Sequence, residues 1–247
     1  ISREQVLTLH QQIERDNGPY AANRASCLLS GILNYSRAVI GRPVNNPVTV
    51  LTDVGAWCEE KPKKVKLSSA QIKLFLQEVD NLGGYNASDL YRLLLYTGMR
   101  KSEGMGLRWE DIDFNAATLH IPDTKNDIPL TLPMPLQVKT ILGERWERWN
   151  KPEAGPVFPT HGKSGHSTRD HHLAAKVKEV IPGFSAHWLR KTFTTVAVAA
   201  GIDSMVIDKL TNHKPKGITA KHYYDPDIEE LRDPMQKIAD RIDEQAK

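Results

Sequence analysis

The chain has 247 residues, of which 40% are hydrophobic and 26% charged, with 33 Lys and Arg against 30 Asp and Glu for a net charge of +3. This is the composition of an ordinary soluble globular protein, long enough for two domains with a real core, and it excludes the disordered and disulfide-stapled classes. A mean hydropathy of −0.46 and the absence of an apolar run near the roughly 18 residues of a spanning helix exclude a helical membrane protein, and the small positive charge permits nucleic-acid binding without demanding it.

The first residue is Ile1 rather than Met, which predicts an internal fragment whose preceding domain has been removed; no signal-peptide pattern follows, so the expected compartment is the cytoplasm. Residues 1–55 read as a small helical unit. One helix runs through Val6, Leu9 and Ile13, and a second carries Ala25, Leu28, Leu29, Ile32, Leu33 and Tyr35 at helical spacing. Asn17-Gly18-Pro19 separates them, and Gly41-Arg42-Pro43 ends the second. Cys27 and Cys58, the two cysteines, suffice for neither a disulfide framework nor a Cys-based zinc site and are expected to be reduced. Residues 56–66 lose periodicity and become polar and proline-broken, the composition of an interdomain linker.

The second domain, residues 67–247, opens on Ser68-Ser69-Ala70-Gln71, a capping-box pattern for a helix that buries Ile72, Phe75, Leu76 and Val79 and ends at Gly83-Gly84. Ser88 is placed to cap the next helix, through Leu90, Leu93, Leu94 and Leu95 to Gly98. Thr118–Ile121 and Ile128–Leu132 read as two strands of a hairpin turning over Thr124-Lys125-Asn126-Asp127, with Pro129 at an edge or a strand start. Helices return over 138–149, 170–180 and 185–200, the last with Leu189, Phe193, Val196 and Ala200 inward. Asp203 can cap a short helix through Val206, Ile207 and Leu210, and Asp233-Pro234 reads as the start of a final helix along Ile238 and Ile242.

Three strings carry chemistry: Thr97-Gly98-Met99-Arg100-Lys101-Ser102-Glu103 after a helix, His187-Trp188-Leu189-Arg190 within one, and Asn212-His213 followed by Tyr223. Each alone has an ordinary structural explanation. In this order they resemble the tyrosine recombinase, or phage integrase, family through nearly all of the second domain. Gly98-Met99-Arg100-Lys101-Ser102-Glu103, followed by Leu107–Asp113, is similar to the segment of that family's first catalytic arginine. Thr124-Lys125-Asn126 is similar to the turn bearing its catalytic lysine. His187–Phe193 resembles the His-x-x-Arg segment, with Trp188 where many members carry an acidic residue, and Asn212 stands where a glycine is more usual before the histidine.

The resemblance implies a mainly α fold with a small antiparallel β-sheet: a helical N-terminal core-binding domain and a mixed α/β catalytic domain clamping DNA. It implies a site-specific recombinase that cuts and rejoins DNA through a 3′-phosphotyrosine, integrating or excising a phage or mobile element, with no metal and no cofactor. Arg100 and Arg190 would meet the charge of the phosphorane, a task suited to the planar guanidinium fork. His187 would orient or deprotonate the tyrosine, His213 would donate to the scissile phosphate, and Lys125 would protonate the departing 5′ oxygen. Glu103 would support Arg100 from behind. The spacing from His213 favours Tyr223 as nucleophile over Tyr224.

Arg24, Arg37, Arg42, Lys63, Lys64, Lys66, Lys214 and Lys216 are the candidate DNA contacts. Expected partners are double-stranded DNA carrying attachment-type sites, further copies of the chain forming a tetramer on DNA, and an accessory DNA-bending protein, inside a bacterial host cell and away from membranes. Three rival readings compete. A metal-dependent nuclease could draw on His161, His166, His171 and His172, which lack a metal-ligand spacing. A type IB topoisomerase would share the tyrosine chemistry, and a non-catalytic DNA-binding regulator could share the scaffold without needing an aligned nucleophile and acid.

Overall fold

The computed structural model describes residues 1–41, 45–61, 65–81, 85–125, 127–159, 170–213 and 226–247, without the side chains of residues 40, 85 and 170–173. It divides into two compact units, Ile1–Lys64 and Val65–Lys247.

The first unit is an antiparallel helix pair, α1 (Arg3–Asn17) and α2 (Pro19–Ile40), followed by a 3-10 turn (Pro47–Thr49) that runs into the one-turn α3 (Val50–Asp53). Ser2 caps α1 in a reciprocal pair with Gln5. Gly18 at φ 89° turns the chain into Pro19, the first residue of α2. Val6, Val48, Val50 and Leu51 form the core, with Leu29 and Leu33 packed against it. The helical spacing of α2 is real, but its apolar residues do not share one buried face. Leu28, Ile32 and Tyr35 are exposed, and the buried positions are Ala22, Asn23 and Ser26. Small residues line this side because α1 crosses there. The segment expected as a linker is anchored to this unit as far as Glu60: the Asn23 amide donates to the Cys58 carbonyl and the Glu60 carboxylate at 2.9 Å each, and its oxygen accepts the Cys58 N–H at 3.1 Å.

The second unit contains α4 (Ser69–Asn81), α5 (Tyr85–Thr97), the short α6 (Lys101–Gly106), three strands, α7 (Leu136–Arg148), α8 (Asp170–Val180), α9 (Ala186–Ala199), α10 (Ser204–Leu210) and α11 (Ile228–Ala246). Strands β1 (Ile112–Asp113), β2 (Thr118–Ile121) and β3 (Leu130–Pro133) form an antiparallel sheet in that order, with Ile112 opposite Leu119 and Ile121 opposite Leu130. The hairpin is therefore present, but its second strand begins at Leu130. Ile128 and Pro129 lie in the connection, where the missing amide of Pro129 breaks no ladder bond. The two-residue β1 is too short to leave a period-2 pattern in the sequence.

The boxed cap at Ser68 and Gln71 forms, and α4 buries Ile72, Phe75 and Val79. Phe75 meets Tyr91 and Phe184 with ring centroids 6.4 and 5.5 Å apart, joining α4, α5 and the turn before α9 into one core. Ser88 does not cap α5. The helix begins at Tyr85, so Ser88 lies inside its first turns. On α9, Leu189, Phe193 and Val196 are buried as the spacing requires, while Ala197 rather than Ala200 completes that face. Asp203 caps α10, accepting the Met205 N–H at 2.7 Å. The last helix starts earlier than Asp233-Pro234. Asp227 accepts the N–H groups of Glu229 and Glu230, Glu230 answers to Asp227, and Pro234 falls inside α11. This helix packs on α4, α5, α9 and β3 through Leu231, Met235, Ile238 and Ile242, and Tyr96 of α5 donates to Asp243 at 2.6 Å.

Candidate active site

Two helix ends and one turn converge in the second unit. At the end of α5, Gly98 takes φ +66°, and a Cβ there would stand 2.5 Å from Cδ1 of the buried Phe193 on α9. Only glycine allows this approach, and it leaves the Gly98 carbonyl facing α9, where it accepts Nη1 of Arg190 at 2.8 Å. The other terminal nitrogen of Arg190 donates to the Thr211 carbonyl, just past α10. Arg190 is 5% exposed and therefore has both rotation and position fixed by two backbone oxygens from distant parts of the chain.

Two residues beyond Gly98, Arg100 begins α6. Its backbone N–H donates to one oxygen of Glu103 and its Nη1 to the other, each at 2.7 Å. Glu103 is 4% exposed, so it is not a surface helix residue but a buried carboxylate spent on Arg100. Arg190 is pushed down to about 10, first by burial and then by Arg100, with Glu103 opposing. His187, three residues before Arg190 on α9, is held below its ordinary value by partial burial first and by Lys191, Arg190 and Arg100 in turn. Arg100, Arg190, Lys191 and His187 thus share one electrostatic neighbourhood whose partial balance is Glu103.

His213 follows the Thr211–Asn212 turn and is exposed, with Nδ1 3.1 Å from Asp208 and 3.2 Å from the Thr211 hydroxyl. Asn212, buried at 7% exposure and in the left-handed region at φ +47°, donates from its side chain to the Ile128 carbonyl at 3.1 Å. Lys125 is exposed in the connection between β2 and β3, whose ends are closed by the Thr124 hydroxyl on that same Ile128 carbonyl at 2.8 Å. The carbonyls of Gly98, Thr211 and Ile128 are functional groups that no side-chain motif could announce.

Tyr223 and Tyr224 lie outside the described residues, as do Arg42, Lys63, Lys64, Lys214, Lys216, His161, His166 and the side chains of His171 and His172. Of the other candidate DNA contacts, Lys66, Arg24 and Arg37 are exposed. Arg24 stacks over Tyr20, 5.2 Å from the ring centroid, and bonds its hydroxyl at 3.1 Å. Arg24 and Arg37 are 13 positions apart on α2, which turns them about 140° from one another at 3.6 residues per turn. Among the described residues no group of three or more His, Cys, Asp or Glu could hold a metal ion, and no helix is long and apolar enough to cross a membrane.

The buried Arg145 was invisible to sequence reasoning. It donates to the Val157 carbonyl, Asp89 and Asn86 and lies 4.7 Å from the Phe158 ring centroid. A charged residue among the apolar positions of an amphipathic helix carried no signal that it would turn inward.

Prophage integrase IntF of Escherichia coli (strain K12) is 31% identical over 177 residues, 70% of this chain and 38% of the relative. The chain spans between 38% and 60% of the length of this and two further curated relatives. Among solved structures, the Tn1549 transposon integrase in complex with a circular intermediate DNA superposes with a TM-score of 0.71 at 19% identity, covering 87% of this chain and 78% of that one. A lambda integrase tetramer bound to a Holliday junction gives 0.68 at 14%, covering 92% and 66%. At these identities the likeness establishes the shared fold. The model of the phage integrase family matches residues 66–230, a stretch that takes in Arg100, Lys125, His187, Arg190 and His213, and with the convergence of α5, α9 and the α10 turn around the two arginines the chain belongs to the phage integrase family.

Proposed function

We propose that the chain is the core-binding and catalytic part of a site-specific DNA recombinase that cleaves and rejoins duplex DNA through a covalent 3′-phosphotyrosine, integrating or excising a phage or other mobile element. The observation that carries the reading is the convergence of Arg100 and Arg190: the buried Arg190 is held by the carbonyl of Gly98, two residues before Arg100. Two guanidiniums are brought within mutual influence, one of them buried, with Glu103 as partial compensation. Gathering like charges where water is scarce costs free energy that an anion would offset, and a phosphate matches the fork geometry of both side chains.

In this mechanism the tyrosine oxygen attacks the scissile phosphorus, the P–O5′ bond breaks, and the 3′ phosphate remains on the protein. Arg100 and Arg190 meet the negative charge as it grows at phosphorus, their positions fixed beforehand by Glu103 and by the carbonyls of Gly98 and Thr211. His187, its proton affinity reduced by partial burial first and then by Lys191, Arg190 and Arg100, is suited to hold a neutral imidazole against the tyrosine hydroxyl. His213 donates to a phosphate oxygen, and Lys125 supplies the proton to the leaving 5′ oxygen. Tyr223 is the nucleophile. No metal takes part. Lys66, Arg24, Arg37, Arg42, Lys63, Lys64, Lys214 and Lys216 contact the DNA backbone; a tetramer assembles on attachment-type sites with an accessory bending protein, in the cytoplasm of a bacterial host.

The test is capture of denaturant-stable protein–DNA adducts from a supercoiled plasmid library of host fragments in excess chelator. Adducts are expected with the unmodified chain and with Tyr224→Phe, and none with Tyr223→Phe. Strand cleavage that leaves no adduct, is lost in chelator and is restored by magnesium would identify a metal-dependent nuclease, and survival of adducts in Tyr223→Phe but not Tyr224→Phe would exchange the two tyrosines.

A further inference from the structure

We propose that Asn212 is a positioning residue for the general acid: its side chain straps the loop carrying Lys125 to the turn that holds His213 and Arg190. The proposal rests on the strand-transfer reading above and adds a residue to it.

The turn Thr211-Asn212-His213 is fixed from two directions. On one side the Thr211 carbonyl takes a terminal nitrogen of Arg190, and the Thr211 hydroxyl donates to the Ile207 carbonyl at 2.6 Å. On the other, Nδ2 of Asn212 donates to the Ile128 carbonyl across 84 residues of sequence. Ile128 closes a short loop. The Thr124 hydroxyl donates to the same carbonyl, and the Asp127 N–H donates to the Thr124 carbonyl at 3.1 Å. Lys125 lies inside that loop, so its backbone is tied through one oxygen to the element that orients Arg190.

The residue type at 212 reports the same role. At φ +47° glycine is the unstrained choice, and asparagine is the side chain that best tolerates the region. A turn alone would be served by glycine. Asparagine satisfies the backbone and also delivers a donor to the lysine loop; the Asn212 side chain is buried at 7% exposure, and the bond it makes is part-buried. An exposed lysine on a hairpin turn otherwise has no reason to stay in register with a phosphate held by α9. A displacement of about 1 Å is enough to cost about 10²-fold in rate.

Two substitutions isolate the strap. Asn212→Gly keeps the turn conformation and deletes the donor. Asn212→Asp keeps the shape and replaces the donating NH2 with a carboxylate oxygen that faces the Ile128 carbonyl. Both are compared with Lys125→Ala in single-turnover cleavage of a duplex bearing the chain's mapped cleavage site, with oxygen or sulfur at the bridging 5′ position. Sulfur leaves as a thiolate and needs no proton. On oxygen, each Asn212 variant is expected to cleave about 10- to 100-fold slower, and on sulfur within about 2-fold of the unmodified chain, with proton transfer no longer required. Asn212→Gly added to Lys125→Ala should slow the oxygen reaction no further, because both act through one proton transfer.

Equal slowing on both substrates, or additive slowing in the double variant, would overturn the proposal and leave Asn212 as a structural residue. Amide exchange of residues 124–128 supplies a readout that needs no cleavage: it should quicken several-fold in Asn212→Gly while α9 is unchanged, and unchanged exchange at Asp127 would overturn the strap directly. Absence of any adduct with the unmodified chain refutes the strand-transfer reading instead, and is distinguished from failure of the strap by that exchange measurement.

Discussion

Gly98→Ala is expected to destabilise the second unit by about 2–5 kcal/mol, from two separable causes. A left-handed conformation costs an L-residue about 1–2 kcal/mol, and Gly98 sits at φ +66°. The new Cβ would meet Phe193 Cδ1 at 2.5 Å and Cγ at 2.9 Å. Phe193 is completely buried, so its ring cannot swing into solvent, and overpacking of this kind costs about 1–3 kcal/mol. With a urea dependence near 2 kcal/mol per molar, the unfolding midpoint should fall by about 1–2.5 M.

The assay is tryptophan fluorescence in a Trp57→Phe background, because Trp109, Trp146, Trp149 and Trp188 all belong to the second unit. Phe193→Leu separates the two causes. Adding Gly98→Ala to it should cost only the backbone share, leaving a coupling of about 1–3 kcal/mol between the two sites. A loss below about 0.5 kcal/mol for Gly98→Ala alone, or no coupling to Phe193, would refute the claim that close approach of α9 is what demands glycine here.

The His187 imidazole is expected to titrate below its ordinary value near 6.5 in free protein, and Lys191→Gln to raise it, as read by NMR. The unfolded chain then binds this proton more readily than the folded one, so the His187 contribution makes stability rise with pH through the window just below 6.5. His187→Gln should flatten that part of the pH–stability profile, and an unchanged slope would show that the group is not perturbed. Arg145→Met should lower stability by about 2–5 kcal/mol, because it leaves Asn86 and the Val157 carbonyl without their shared donor and Asp89 with the longer bond to Arg148; a neutral urea midpoint would show that the apolar replacement packs as well as the charge network.

By itself the sequence determined whatever is decided within a turn or two of chain. The Ser68 and Gln71 box, the Asp203 cap, the buried stripe of α9 and the Gly98 stop all follow from hydrogen bonds and side-chain spacing over three or four residues. The order of Arg100, Lys125, His187, Arg190 and His213 was equally legible, because residue identity along the chain is enough to display a motif. Where two local signals competed, local reading failed: Asp227 with Glu230 outbid Asp233-Pro234 as the start of α11, since a reciprocal cap satisfies two amide groups at once. Only the tertiary structure decided which helix face is inside, as with Leu28, Ile32 and Tyr35 on α2, where a neighbouring helix chose small residues over large apolar ones. It alone decided the inward turn of Arg145. It alone set Gly98, Thr211 and Ile128 as acceptors for Arg190 and Asn212, pairings that span 92, 21 and 84 residues. Every residue carries the same carbonyl, so no pattern of side chains can mark the ones that the closed fold brings to the site.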